Sequence, residues 1–162
     1  HAKVMLPPRV EARMLQDAAI QKNKKVLEIG SGSGYMAAWL AHQAQRVISL
    51  EINPELAKMA RENLQKAGVF NAEVRQFDGS KGTPAESPFD VIVLSGSVAV
   101  VPSALLAQLK VGGRLVAIVG DEPVMRATVV TRGSDTAYTT TQPWDTVAPR
   151  LQNFPEPERF IF

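Results

Sequence analysis

Val26-Leu27-Glu28-Ile29 runs directly into three alternating glycines, Gly30, Gly32 and Gly34, and a helix-type pattern begins at once with Tyr35. An apolar run that stops at a Gly-rich loop and resumes as a helix reads as a buried strand turning sharply into a helix. Such a loop lets a ligand approach the backbone where no Cβ stands in the way. It also lies at the carboxyl end of a strand, where open α/β sheets bind their ligands.

The spacing narrows the ligand. A dinucleotide loop of the form G-x-G-x-x-G would need its third glycine at Tyr35, so a NAD-binding oxidoreductase is disfavoured. No Lys-Ser/Thr pair follows, which excludes a phosphate-cradling P-loop. Glu28 sits inside the strand just before the turn, where a carboxylate repels a pyrophosphate but suits a cationic group. S-adenosylmethionine carries an ammonium and a sulfonium and no phosphate. The pattern E-x-G-x-G-x-G resembles motif I of the class I S-adenosylmethionine-dependent methyltransferases. A structural βα turn without a ligand is the plainer alternative.

The chain has 162 residues, one domain's worth and enough to bury a core. We read it as a single domain over 1–162. It starts with a histidine and so reads as a trimmed fragment. A net charge of +2 is too small to argue for nucleic acid, and the basic run at Lys22, Lys24 and Lys25 reads as a solvated lead into the first strand. Cysteine is absent and there are two histidines, so a metal site is not expected. No apolar run reaches membrane-spanning length and no signal peptide is visible, so the expected setting is the cytoplasm.

In chain order, Val4 to Arg9 is expected to be extended because residues before proline avoid the helical region. Val10, Met14, Leu15, Ala18 and Ala19 then give helical spacing between Arg9 and Gln21. A helix from Tyr35 to Gln43 follows the glycine loop, with His42 as a surface residue near its end. The second strand is Arg46 to Glu51. Asn53 and Pro54 are a natural N-cap and first position for a helix that stops at Gly68. Glu51 ends its strand beside the glycine loop, where an acid can take both hydroxyls of a ribose. Strand three, Ala72 to Phe77, ends at Asp78-Gly79, also a common turn pair. Lys81 to Pro88 reads as a surface loop. Strand four, Phe89 to Leu94, leads into Ser95-Gly96-Ser97 and lacks the Asn-Pro-Pro-aromatic signature of enzymes that methylate base amines. A helix is expected from Pro102 through Lys110, and Gly112-Gly113 turns into strand five, Arg114 to Val119. Gly120 to Pro123 is too short for a crossover, so strand six, Met125 to Thr131, must run antiparallel. Tyr138 to Gln142 alternates weakly as a seventh strand, and the aromatic tail is expected to seal core.

Val26 to Ala38 resembles motif I of the protein-L-isoaspartate O-methyltransferase family, and Leu105 to Val116, with its double glycine, resembles a later motif of that family. The resemblance covers about Met5 to Val130. It implies an α/β, Rossmann-like class I methyltransferase: a mostly parallel seven-stranded sheet with helices on both faces and antiparallel C-terminal strands. It further implies S-adenosyl-L-methionine as cofactor and carboxyl O-methylation of isoaspartyl residues in damaged proteins. The acceptor is then a protein or peptide carboxylate or another small acid. The implied cofactor contacts are Glu28, Gly30, Ser31, Gly32, Gly34, Tyr35, Glu51, Ile52, Asp78, Gly79 and Ser95, with Asp78 on the adenine amino group.

Two features depart from the family. Its N-terminal helical segment, which helps cover the site, would precede this chain. Its Ile-Ser-x-Pro-x-x-x-Ala signature aligns with Met5 to Ala12, which puts Leu6 where the serine stands near the transferred methyl group. Little else is asked of side chains. A carboxylate is already ionised at neutral pH and needs no general base to attack a sulfonium methyl. Alignment and exclusion of water supply the rate, orientation alone being worth roughly 7–11 kcal/mol. The second expectation is therefore a domain that holds S-adenosylmethionine without isoaspartyl activity, acting on another acceptor or as a binding module.

Overall fold

The computed structural model describes residues 6–30 and 34–157. Its elements are α1 (Pro8–Ala18), β1 (Lys25–Ile29), α2 (Tyr35–Gln43), β2 (Arg46–Glu51), α3 (Pro54–Lys66), β3 (Ala72–Gln76), β4 (Phe89–Val98), α4 (Ser103–Leu106), β5 (Leu109–Asp121), β6 (Val124–Arg132) and β7 (Tyr138–Thr146). Two short 3-10 turns, Gly79–Lys81 and Pro84–Glu86, lie between β3 and β4.

Seven strands form one sheet in the order β3-β2-β1-β4-β5-β6-β7. The first five are parallel, and the pairings of β6 with β5 and with β7 are antiparallel. The order reverses at β1, which pairs with β2 on one side and β4 on the other. A crevice at the carboxyl ends of β1 and β4 is where such sheets bind ligands. The antiparallel β6 follows from its short connection to β5, as the sequence predicted.

Strand alternation sorts the side chains onto two faces. Val26, Val47, Val91, Val93 and Val116 pack with Val10, Met14 and Leu15 of α1 and Met36 and Leu40 of α2. Leu27, Ile29, Ile48, Leu50, Ile92 and Leu94 pack on the other side with Leu105, Leu109 and Phe154. Glu28 shares the face of Val26, beneath α1 and α2. Phe154 thus seals core, whereas Phe160, Ile161 and Phe162 lie outside the described residues.

Local chemistry explains the element ends. Asn53 Oδ1 accepts the amides of Glu55 and Leu56 at 2.9 and 3.1 Å, capping α3. Helix α1 stops at Ala18 rather than Gln21, because Ala19 turns left-handed at φ 49 and its amide closes onto Leu15 and Gln16. Of the extended lead-in, Val4 and Met5 lie outside the described residues, while Pro7 is extended at ψ 144 and Pro8 already begins the helix.

Three expectations are corrected around β4 and β5. The helix expected through Lys110 is the single turn Ser103–Leu106. The carbonyl of Gln108 accepts the Phe89 amide at 2.7 Å, and Leu109 pairs with Phe89, so the chain is already strand. Gly112-Gly113 therefore lies inside β5, and a Cβ on Gly113 would stand 2.8 Å from the Asp90 carbonyl oxygen. Strand β4 continues four residues past Leu94 to Val98, because Ser97 finds partners on both sides, Ile118 of β5 and the C-terminal tail. The stretch read as a surface loop includes buried Thr83, whose amide donates to Gln108 Oε1 at 3.0 Å. Strand β7 runs on to Thr146, four residues past Gln142. No helix among the described residues is long and apolar enough to cross a membrane.

Candidate cofactor and active site

Glu28 is fully buried at the centre of the sheet. The register places Ser49 of β2 directly opposite it, and Ser95 of β4 lies two residues beyond its partner Val93. Ser49 Oγ donates to Glu28 Oε1, and Ser95 Oγ donates to Oε2, each at 2.7 Å. Burial pushes the carboxyl up to about 7. The two serine hydroxyls pull against that, while the charges of Glu11 and Glu51 push the same way as burial. Glu11, from the first turn of α1, is itself raised by partial burial.

Three acids therefore stand at or just past successive strand ends, Glu28, Glu51 and Asp78. Glu51 is 6% exposed and its Oε2 accepts the Asn53 amide at 3.0 Å. Ile52, half-buried, follows it into the turn. Asp78 is exposed and caps the first 3-10 turn, its Oδ1 accepting the Ser80 amide at 3.0 Å. That amide is the main reason its carboxyl lies below the usual range, with smaller help from Asn153 and Lys81. Gly79 is buried where a Cβ would stand 2.6 Å from Ile29 Cγ2, so the turn after β3 can settle onto the ends of β1 and β2 only without a side chain.

The glycine loop begins at Gly30, whose φ of +90° lies in the left-handed region that glycine adopts freely. Ser31, Gly32 and Ser33 lie outside the described residues. Gly34, at φ +93°, precedes α2 where a Cβ would stand 3.1 Å from the Ala60 carbonyl oxygen. Tyr35 is 64% exposed and lines a surface groove with Asn63 and Lys66 of α3. Leu6 is 5% exposed and lies in the apolar cluster of Val10 and Met14.

Four further residues reach this region without having been singled out in the sequence. Ser49 interrupts the apolar run of β2, and pairing β2 with β1 in register would have pointed to it. Glu11 carries no sequence signal beyond its place in the first helical turn. Leu151 and Asn153 arrive from the C-terminal tail, far away in the chain. Among the described residues no group of three metal-ligating side chains comes together.

Strand reversal at β1, the glycine turn and acids at three successive strand ends define a Rossmann-like fold of the class I methyltransferase type. A family model described as Protein-L-isoaspartate(D-aspartate) O-methyltransferase (PCMT) matches residues 3–147. The chain belongs to that family. Protein-L-isoaspartate O-methyltransferase 1 of Syntrophobacter fumaroxidans is 46% identical over 79% of this chain and 60% of its own length. The protein-L-isoaspartate O-methyltransferase of Gloeobacter violaceus is 43% identical over 82% of this chain and 65% of its own. A solved protein-L-isoaspartate O-methyltransferase superposes with a TM-score of 0.82 at 27% identity, over 90% of this chain and 47% of that one. A Plasmodium falciparum structure titled as a putative member, in complex with S-adenosyl-L-homocysteine, shares the fold at TM-score 0.78 and 19% identity, over 94% of this chain and 77% of that one. The chain spans roughly half to two thirds of the length of the curated relatives it matches.

Proposed function

We propose that this chain is a single-domain, S-adenosylmethionine-dependent carboxyl O-methyltransferase whose acceptor is the isoaspartyl side chain of damaged protein, as in its family. The observation that carries the reading is Glu28, a fully buried carboxylate held by Ser49 and Ser95 at the point where the strand order reverses.

The residues present fit that cofactor. A carboxylate buried this deeply is costly to ionise alone, and a cation brought beside it restores the charged form. The ammonium of an amino-acid moiety is such a cation. Glu51, fixed by the Asn53 amide, is set to accept from a ribose diol. Asp78 accepts from the exocyclic amine of adenine, with the half-buried Ile52 offering apolar surface to the ring. Gly30 turns the chain at φ +90° without a side chain, and Leu151 of the C-terminal tail packs where its Cβ would stand. When bound, S-adenosylmethionine supplies a methyl group made electrophilic by the sulfonium.

The chain's own work is then binding, orientation and exclusion of water. The acceptor carboxylate is ionised at neutral pH, so no side chain has to remove a proton. Methyl transfer forms a carboxylate ester and leaves S-adenosylhomocysteine. Repair chemistry in the cytoplasm is the setting we propose.

A second reading is favoured by Leu6. Where the family places a serine hydroxyl, this chain packs a buried aliphatic side chain. A substrate carboxylate brought there gives up water without gaining a donor, at a cost on the order of 1–3 kcal/mol. That reading keeps the cofactor and weakens isoaspartyl turnover. One experiment separates the two: transfer of labelled methyl from S-adenosylmethionine to an isoaspartyl peptide beside its normal aspartyl counterpart. Selective, sustained turnover supports the first reading. Cofactor binding with equal, trace labelling of both peptides supports the second, and no cofactor binding rejects both.

A further inference from the structure

The tail after β7 is threaded through the carboxyl-end crevice. Ser97 donates its amide to the Pro149 carbonyl at 2.7 Å, and the Leu151 amide donates to the Ser97 carbonyl at 2.8 Å. The tail thereby adds a short parallel bridge to β4, just beyond where β1 has ended. Arg150 fastens it: its guanidinium donates to the Gly120 carbonyl at 2.7 Å and pairs with Asp121 and Glu156 at 2.6 and 2.9 Å. Phe154 anchors the far side in the core. Between these anchors Leu151 lies against Gly30 and Gly96, its Cδ2 standing 2.8 Å from where a Cβ of either would be.

Asn153 is held in the left-handed region at φ 65°, a conformation asparagine tolerates better than most residues. Its Nδ2 lies 3.3 Å from Asp78 Oδ2, while the Ser80 amide holds Oδ1 at 3.0 Å. An exposed carboxylate rotates freely when held by one oxygen. Donors on both oxygens fix its plane, and each oxygen keeps a second lone pair for another donor. The same contacts hold the Asp78 carboxyl below its usual range, the Ser80 amide contributing most.

The geometry points to Asn153 as a positioning residue for adenine recognition: from the tail it orients the Asp78 carboxylate toward the exocyclic amine of the purine. The inference rests on the proposed S-adenosylmethionine site and deepens it. It makes the C-terminal tail part of purine discrimination, because an oriented carboxylate rewards a ring that donates at that position and repels one that presents a carbonyl oxygen.

The test compares S-adenosylhomocysteine with S-inosylhomocysteine, which carries a carbonyl in place of the amine, by calorimetric titration. Asn153→Gly removes the amide while keeping a residue at ease with φ 65°. The expected result is affinity for S-adenosylhomocysteine weakened about three- to tenfold, the scale of one ordinary net hydrogen bond, because Asn153 acts on the ligand only through Asp78. Affinity for S-inosylhomocysteine should stay the same or rise, and the melting temperature should stay the same. In an Asp78→Ala background the further change to Asn153→Gly should have no effect. Asn153→Asp serves as a second variant, since it keeps the backbone preference and sets two like charges together. It should weaken S-adenosylhomocysteine more than Asn153→Gly does. Equal losses for both ligands, unchanged affinity for S-adenosylhomocysteine, or a loss that persists without Asp78 would each overturn the assignment. Failure of the unmodified chain to bind S-adenosylhomocysteine would instead overturn the cofactor reading and this assignment with it.

Discussion

Ser95 Oγ of β4 donates to Glu28 Oε2 of β1 at 2.7 Å, mirroring the bond from Ser49 on the other side. A buried acid between two neutral donors is satisfied in hydrogen bonding but not in charge. Burial therefore holds its proton affinity high, and a cation entering the crevice lowers it.

Stability should reflect that. Glu28 sits near 7 in the folded chain against an ordinary value of 4.5, so the folded state keeps a proton that the unfolded state releases in between. Its contribution to stability is full below about 4.5 and is lost as pH rises through about 7. Glu28→Gln removes the titration, so thermal melts from pH 5 to pH 8 should show the variant gaining on the parent by on the order of 2 kcal/mol, about 4–8 °C. Parallel pH profiles for the two proteins would remove Glu28 as their source.

Glu51→Ala should weaken S-adenosylhomocysteine by about 1.5–3 kcal/mol, the worth of hydrogen bonds to a charged acceptor. The Asn53 amide also loses a partner, so the melting temperature must be followed beside the titration calorimetry. Full affinity in a folded variant would reject the ribose assignment.

Gly30→Ala should destabilise through two separable effects. The backbone at φ +90° strains an alanine, and the new Cβ meets Leu151 Cδ2 at 2.8 Å. Adding Leu151→Ala should relieve the contact and leave the backbone term, about 1 kcal/mol. A double-mutant cycle in urea measures the coupling, and simple additivity would show that the tail does not press on this glycine.

Leu6→Ser supplies the hydroxyl that the proposed second reading finds missing, at a position buried in the core. Exchanging a buried leucine for a small polar residue should cost about 2–5 kcal/mol. Isoaspartyl turnover per folded molecule should rise only in part. Chemical denaturation and labelled-methyl assays on the same preparations give both quantities, and a variant as stable as the parent would mean that the Leu6 side chain contributes little to packing.

Short-range chemistry determined a good deal of this protein from sequence alone. An apolar run put Glu28 inside a buried strand, three glycines ended that strand, and Asn53-Pro54 and Gly68 bounded α3. Each depends on residues within a few positions, so tertiary contacts had little to overrule. The short link from β5 to β6 likewise left no geometry but an antiparallel pair. What only the tertiary structure decided lies between distant segments. Ser49 and Ser95 meet Glu28 because strand register brings them there. The helix expected to Lys110 gives way because Gln108 and Leu109 pair with Phe89. The tail reaches Gly30 and Asp78 because Ser97 has a free edge once β1 ends, and unpaired backbone groups at a buried strand end find partners. Such contacts leave no periodic trace in a sequence, since they arise from packing whole elements together and not from the order of neighbouring residues.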